Sequence, residues 1–201
     1  MRKGKPGSKM VEKHEEQTDK KMSILWCLTF RMLQHISFPC MISGGFPTFL
    51  MGDTTHFGDI DLYVAISSKK DYTGLFREIF LIVHYFIAWF GCRQIRKMEF
   101  VTDHYNKYFQ VSIVRNRKKY KIDILCEMFS KEDFTAIKQN KFLFAEHIVK
   151  NFDYQIVKCV GFLCPEGNLI VTRIKCHYEN FDKEVNHCWT QKQHKHWEKY
   201  K

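Results

Sequence analysis

The chain has 201 residues, 45% of them hydrophobic and 15% aromatic, which excludes a disordered polymer and predicts one globular domain with a sizeable core. Its 32 Lys and Arg residues outnumber its 22 Asp and Glu residues, and the net charge of +10 favours a polyanionic partner, although a merely basic protein has the same excess. The eight cysteines form no Cys-x-x-Cys pair and mostly lie in apolar runs, which predicts reduced thiols in an intracellular protein, cytoplasmic or nuclear.

The chain begins with a polar segment. Residues 1–22 are rich in Lys, Glu, Gly and Gln and are predicted to form a disordered basic leader. Because acidic residues occur in it and no apolar run begins before Ile24, we expect neither a secretory signal nor a transit peptide. Apolar residues then recur near helical spacing over residues 23–35, which predicts a first helix capped by Ser23.

A short buried strand is predicted to end at the tripeptide Ser43-Gly44-Gly45. Glycine lets the backbone approach a phosphate group closely, and Pro47 suits the first turn of a following short helix. Free N–H groups at the start of such a helix can receive an anion. The tripeptide therefore predicts one half of a phosphate-binding site.

Two aspartates follow thirteen residues later, in a strand predicted at residues 58–66. Successive side chains of a strand point to opposite faces, so Asp59 and Asp61 share one face while Ile60 and Leu62 share the other. Carboxylates about 6–7 Å apart along a strand repel each other unless a counter-charge is present. The usual counter-charge is a divalent cation such as Mg²⁺, which prefers carboxylate and phosphate oxygens.

Together, Gly44-Gly45, the spacer and Asp59-Ile60-Asp61-Leu62 resemble the signature of the nucleotidyltransferase superfamily, the polymerase-β-like group. Here the spacer is at the long end of the family's range, and Gly58 stands where many members carry Ser. As a succession of elements the resemblance covers residues 24–172, although only residues 43–62 are specific. Without the glycines, the same residues would fit a polar hairpin face beside a tight turn.

The resemblance implies an α/β (α+β) fold, a mixed and partly antiparallel central sheet with helices mainly on one side. It implies transfer of a nucleoside monophosphate from a nucleoside triphosphate, such as ATP, to an acceptor hydroxyl. In such enzymes aspartates corresponding to Asp59 and Asp61, with a third on a neighbouring strand, hold Mg²⁺ or Mn²⁺. The tripeptide Ser43-Gly44-Gly45 would cradle the triphosphate.

The longest predicted helix covers residues 67–91. From Ile79 to Phe90 its only polar residue is His84, so we expect a helix buried on all sides, with His84 a hydrogen-bonded core histidine. The apolar run of about twelve residues is too short to cross a bilayer. A membrane is therefore not expected among the partners.

A hairpin is predicted from strands at residues 108–114 and 119–127. In the second strand Asp123 lies between Ile122 and Ile124, and in the resemblance it matches the third aspartate of the metal site. The alternative is an ion pair between Asp123 and Lys121 on a solvated face. Under the first interpretation, Lys121 is predicted to contact the nucleotide.

The basic residues around this turn could track a nucleic-acid backbone, and a solvated hairpin tip explains them equally well. They are Arg115, Arg117, Lys118, Lys119 and Lys121. Beyond the hairpin we expect a loop and one helix over residues 130–153, then strands at 155–164 and 169–176 around a turn.

The nucleotidyltransferase-like domain is predicted over residues 23–178, and residues 179–201 form a basic polar tail or helix. The Cys and His residues near this end match no standard zinc finger. Two alternatives to the enzyme remain: an inactive binding module of the same fold, possibly binding nucleic acid, and a basic nucleic-acid-binding protein without a nucleotide site. The sequence identifies neither the acceptor, nor the base of the nucleotide, nor a protein partner.

Overall fold

The computed structural model describes residues 24–55, 57–90, 97–103, 108–115, 118–150, 152 and 158–174. Within these ranges it has five helices, which are α1 (24–35), α2 (Gly45–Leu50), α3 (Lys69–Phe90), α4 (Lys131–Gln139) and α5 (Lys141–Val149). It has seven strands, which are β1 (Cys40–Ser43), β2 (Ile60–Ile66), β3 (Lys97–Asp103), β4 (Tyr108–Arg115), β5 (Lys118–Met128), β6 (Cys159–Leu163) and β7 (Leu169–Arg173). The predicted leader, the C-terminal tail and the Cys and His residues near that end lie outside the described residues.

The seven strands form one sheet in the order β3-β4-β5-β2-β1-β6-β7. Strands β2 and β5 run parallel, and every other neighbouring pair is antiparallel. The prediction of a mixed, partly antiparallel sheet flanked by helices is therefore confirmed. The helices are divided between the two faces more evenly than expected, since α1, α2 and α3 pack on one face and α4 and α5 on the other.

Alternation along β2 decides which residues enter each layer of the core. Four fully buried side chains face α1 and α3, namely Ile60, Leu62, Val64 and Ile66. On the opposite face Ala65 packs with Met41 against α4 and α5. Asp61 and Tyr63 lie on that second face, nearer the start of the strand, and are half-buried.

The predicted single helix over residues 130–153 is wrong, because two short helices meet at Asn140. Asn140 ends α4 in an extended conformation, and its side chain accepts a hydrogen bond from the Phe142 amide at 3.0 Å. Ser130 caps α4 in the same way, accepting from the Asp133 amide at 3.0 Å. Side chains that cap a helix start this well compete with a continuous helix at the same position.

The predicted burial of α3 on all sides is also wrong. One side of the helix packs on the core through Leu75, Ile79, Val83 and Phe86. The other side is exposed, including His84, which is therefore no core histidine, and Trp89 at 83% exposure. Only one flank of α3 packs against the sheet and α1. The other flank is exposed although many of its residues are apolar. Across the described ranges, no helix combines the length and the apolar character needed to cross a membrane.

Candidate active site

Four polar side chains occupy one level of the sheet on four neighbouring strands. Ser43 pairs with Asp61, Asp61 pairs with Asp123, and Asp123 pairs with Gln110. Partners in register project to the same face, and neighbouring strands lie about 4.8 Å apart. We call these four residues the polar row. It lies on the face that carries α4 and α5.

Asp61 is the most perturbed carboxyl group of the polar row. Its pKa is raised from 3.8 to about 7, mainly by burial and in the same direction by the nearby charges of Asp59 and Asp123. Among the described residues none donates a hydrogen bond to this carboxyl. The row is therefore short of positive charge, and a cation bound beside Asp61 would favour its ionised form.

Asp59 lies just outside the strand in which it was predicted. Strand β2 begins at Ile60 rather than at residue 58, and Asp59 is exposed. Its charge nevertheless acts on Asp61, as the raised pKa of Asp61 records. Asp59 therefore stands at the solvent-exposed side of the row.

Asp123 is held by a hydrogen bond that the sequence did not reveal. The side-chain amide of Gln110 donates to Asp123 Oδ1 at 2.7 Å, and the hydroxyl of the buried Ser112 donates to Gln110 Oε1 at 3.4 Å. The alternative pairing of Asp123 with Lys121 is not present among the described contacts. Gln110 and Ser112 alternate with the buried Phe109 and Val111, and this polar face of β4 was the available signal.

The turn at Gly44 reaches the same point from the end of β1. Gly44 has φ 84° and ψ −136°, a backbone conformation that residues other than glycine rarely adopt. A Cβ atom on Gly44 would lie 3.3 Å from Asp61 Oδ2. The backbone conformation favours glycine here, and a Cβ atom would be tightly placed against Asp61, so the two halves of the sequence pattern lie close together.

Hydrogen bonds fix this turn to β6 and α2. The Ser43 hydroxyl and the Gly44 amide both donate to the Cys159 carbonyl, at 3.0 and 3.3 Å, and Thr48 Oγ1 donates to the Gly44 carbonyl at 2.7 Å. Ser43 is fully buried, so its hydroxyl proton is used inside the fold. Gly45 is the first residue of α2. Contacts of Ser43 and Gly45 with a triphosphate stay predictions.

Lys121 lies two residues before Asp123 on the same face of β5, half-buried and opposite Ser112. Because Ile122 pairs with Ile60, Lys121 belongs to the end of the sheet where Asp59 stands. Its contact with a nucleotide stays a prediction. The predicted β4–β5 hairpin is present, although residues 116 and 117 and the side chains of 113–120 lie outside the described residues.

The donor set of the polar row suits a hard cation such as Mg²⁺ or Mn²⁺, because its charged ligands are carboxylates. In the described part of the chain, no three His, Cys, Asp or Glu side chains are gathered closely enough to hold an ion by themselves. Such an ion would need further oxygen ligands from water or from a bound phosphate. This is how Mg²⁺ usually binds at nucleotide sites.

A separate cavity of about 400 Å³ lies between α1 and α3, on the other face of the sheet. Arg31, His35, Tyr85 and Trp89 are among its lining residues. None of its described lining residues is a carboxylate, the side chain that a magnesium ion prefers.

In comparisons with known proteins, no protein-family model matches the chain, and no curated protein is similar to it in sequence. Three observations describe the site, namely the register of the polar row, the raised pKa of Asp61, and the 3.3 Å that would separate a Cβ atom on Gly44 from Asp61 Oδ2.

Proposed function

We propose that the protein is a metal-dependent nucleotidyltransferase, which moves a nucleoside monophosphate from a nucleoside triphosphate to an acceptor hydroxyl. The observation that carries the proposal is the meeting of three residues, Asp61, Asp123 and Gly44. Asp61 is in register with Asp123, and a Cβ atom added to Gly44 would lie 3.3 Å from Asp61 Oδ2. A phosphate-approaching turn beside paired carboxylates is what such a transfer requires.

Asp61 and Asp123, with Asp59 at the solvent side, would hold the Mg²⁺ or Mn²⁺ ions. When bound, these ions neutralise charge on the transferring phosphoryl group and lower the pKa of a coordinated hydroxyl. Asp61 must be ionised to serve as a ligand, so it has to lose the proton that its raised pKa retains near neutral pH. Gly44, lacking a side chain, leaves room for the phosphates, and Lys121 would offset their charge.

In the transfer itself the acceptor oxygen attacks the α-phosphorus atom, a new P–O bond forms, and the bond to pyrophosphate breaks. Asp123 would contribute its Oδ2 atom to the ion-binding site beside the acceptor, because Gln110 donates only to its Oδ1 atom. The acceptor's proton passes to a carboxylate or to water as attack proceeds. Most of the acceleration comes from positioning and charge neutralisation rather than from covalent chemistry.

An intracellular setting fits this proposal, because Mg²⁺ and nucleoside triphosphates are abundant there. Cys27, Cys40, Cys126 and Cys164 are unbridged thiols, in keeping with a reducing compartment. The acceptor is a hydroxyl of unassigned class, and the basic β4–β5 turn makes a nucleic acid one candidate. Salt-sensitive nucleic-acid binding without turnover would instead favour the inactive binding module.

The proposal is tested by incubating the purified protein with each labelled nucleoside triphosphate and either Mg²⁺ or Mn²⁺, and measuring pyrophosphate release and labelled products. We expect turnover with at least one nucleotide and a loss of about 10³-fold or more in Asp61→Asn, since a metal-holding carboxylate contributes several kcal/mol. Glu132→Gln, the same chemical change at an exposed site on α4, is the matched control. Full activity in folded Asp61→Asn would refute the assignment.

A further inference from the structure

Gln110 is the one neutral amide of the polar row, and it lies on β4 directly opposite Asp123. Its Nε2 atom donates to Asp123 Oδ1 at 2.7 Å, while its own Oε1 atom accepts from Ser112 at 3.4 Å. Ser112 is fully buried, so the end of this chain of hydrogen bonds is fixed inside the sheet. The two partners also determine which end of the amide carries the nitrogen.

This arrangement restricts the Asp123 carboxyl. The terminal torsion of an aspartate is broad, and an unsupported carboxylate samples many orientations. With Oδ1 committed to Gln110, Asp123 Oδ2 is the oxygen without a described hydrogen-bond partner. Because Asp61 is the neighbour of Asp123 on the side away from Gln110, a carboxyl tied to Gln110 keeps one oxygen for an ion between the two aspartates.

The chemistry of an amide suits this position better than a charged group would. A lysine opposite Asp123 would hold the carboxylate but would also repel a cation. A glutamate would add a further negative charge to a row in which the pKa of Asp61 is already raised by its neighbours. Glutamine donates a hydrogen bond and leaves the net charge of the row unchanged.

We propose that Gln110 is a positioning residue that acts through Asp123 to set the cation-binding geometry of the polar row. This inference rests on the proposed function, because it assumes that the row binds a divalent cation. Partners that orient metal-binding side chains typically change metal affinity by about 10–100-fold when removed. Gln110 touches neither the ion nor the nucleotide in this scheme.

The test is a double-mutant cycle on Mn²⁺ affinity, with free Mn²⁺ counted by electron paramagnetic resonance. The four proteins are the wild type, Gln110→Met, Asp123→Ala and the double variant, with Gln139→Met as the matched control at an exposed end of α4. We expect Gln110→Met to weaken Mn²⁺ binding by about 10–100-fold in the wild-type background and to have no further effect once Asp123 is alanine. Gln110→Ala replaces Gln110→Met if the latter does not fold.

Three results contradict the inference in distinguishable ways. Wild-type affinity in Gln110→Met would show that the hydrogen bond does not position Asp123. Equal losses in both backgrounds would show a general structural role for Gln110, since a residue acting only through Asp123 cannot act without it. A wild-type protein that binds neither Mn²⁺ nor Mn²⁺ with a nucleoside triphosphate would overturn the proposed function itself, and the inference with it.

Discussion

The two faces of β2 are built on opposite principles, although they belong to the same seven residues. On one face Ile60, Leu62, Val64 and Ile66 are fully buried against α1 and α3. On the other face Asp61 is half-buried beside Asp123, and the pKa of Asp61 is raised by burial and by its acidic neighbours. One face stabilises the fold, and the other places like charges together at a cost.

The buried face of β2 explains how the protein tolerates like charges placed together on the other face. The buried face fixes β2 between β1 and β5, so the register that pairs Asp61 with Asp123 is determined by packing rather than by the carboxylates. Local conflicts of this kind are expected at functional sites and are compensated elsewhere in the fold. Substitutions on the two faces should therefore affect different properties of the protein.

The largest loss of stability is expected from the apolar face. Leu62→Ala removes a fully buried side chain and leaves a cavity, which should lower the free energy of unfolding by about 2–5 kcal/mol. Denaturant unfolding measures this loss. Leu143→Ala, the same change at a side chain that is 44% exposed, is the control and should cost about 1 kcal/mol or less. Similar losses in both variants would contradict the contrast between the faces.

A smaller loss is expected at the turn that meets the polar face. Gly44→Ala places a side chain at φ 84° and should cost about 1–3 kcal/mol of folding stability. Its Cβ atom would also press on Asp61 Oδ2 and weaken binding of Mg²⁺ with a nucleoside triphosphate. Gly52 also has a positive φ of 81°, but a Cβ atom added there would have no neighbour within 4 Å. Gly52→Ala should therefore lower stability without changing the binding of Mg²⁺ and nucleotide. If the two variants bind Mg²⁺ with a nucleoside triphosphate equally well, Gly44 does not belong to the binding site.

The smallest effect is expected in the pH dependence of stability. The pKa of Asp61 is about 7 in the folded protein, against an ordinary value of 3.8 that applies to the unfolded chain. Between these two pH values the folded protein therefore binds more protons than the unfolded chain. The contribution of Asp61 to the free energy of unfolding therefore falls as the pH rises from about 4 to 7, and it stays low above pH 7. Asp61→Asn should remove this fall and be the more stable protein at pH 8 without metal. Calorimetry at several pH values measures the difference, and a less stable variant at pH 8 would contradict it.

Much of this site could be predicted because its signals are local. Alternation along β2 separates Asp61 from Ile60 and Leu62 without knowledge of any other strand. The same rule placed Asp123 in β5 between two buried isoleucines. Both aspartates were therefore assigned to the correct face of their own strands, and the mixed sheet was implied by the resemblance to the nucleotidyltransferase superfamily.

The rest depends on contacts between distant segments. The bond from Gln110 to Asp123 exists only in one register of β4 on β5, and a single sequence does not fix that register. The exposed flank of α3 depends on which neighbours cover the helix, which periodicity does not report. The break at Asn140 has a local signal, since asparagine caps helices well.

The most direct test of the central claim is the melting temperature of the wild type and Asp61→Asn at pH 8, with and without Mg²⁺ and a nucleoside triphosphate. A ligand that binds only the folded state raises its stability, so the wild type should melt several degrees higher with both additions present. Asp61→Asn should start at an equal or higher temperature and gain little, since the variant has lost the carboxylate that holds the ion. No shift in the wild type with any nucleotide, or equal shifts in both proteins, would contradict a metal–nucleotide site at Asp61.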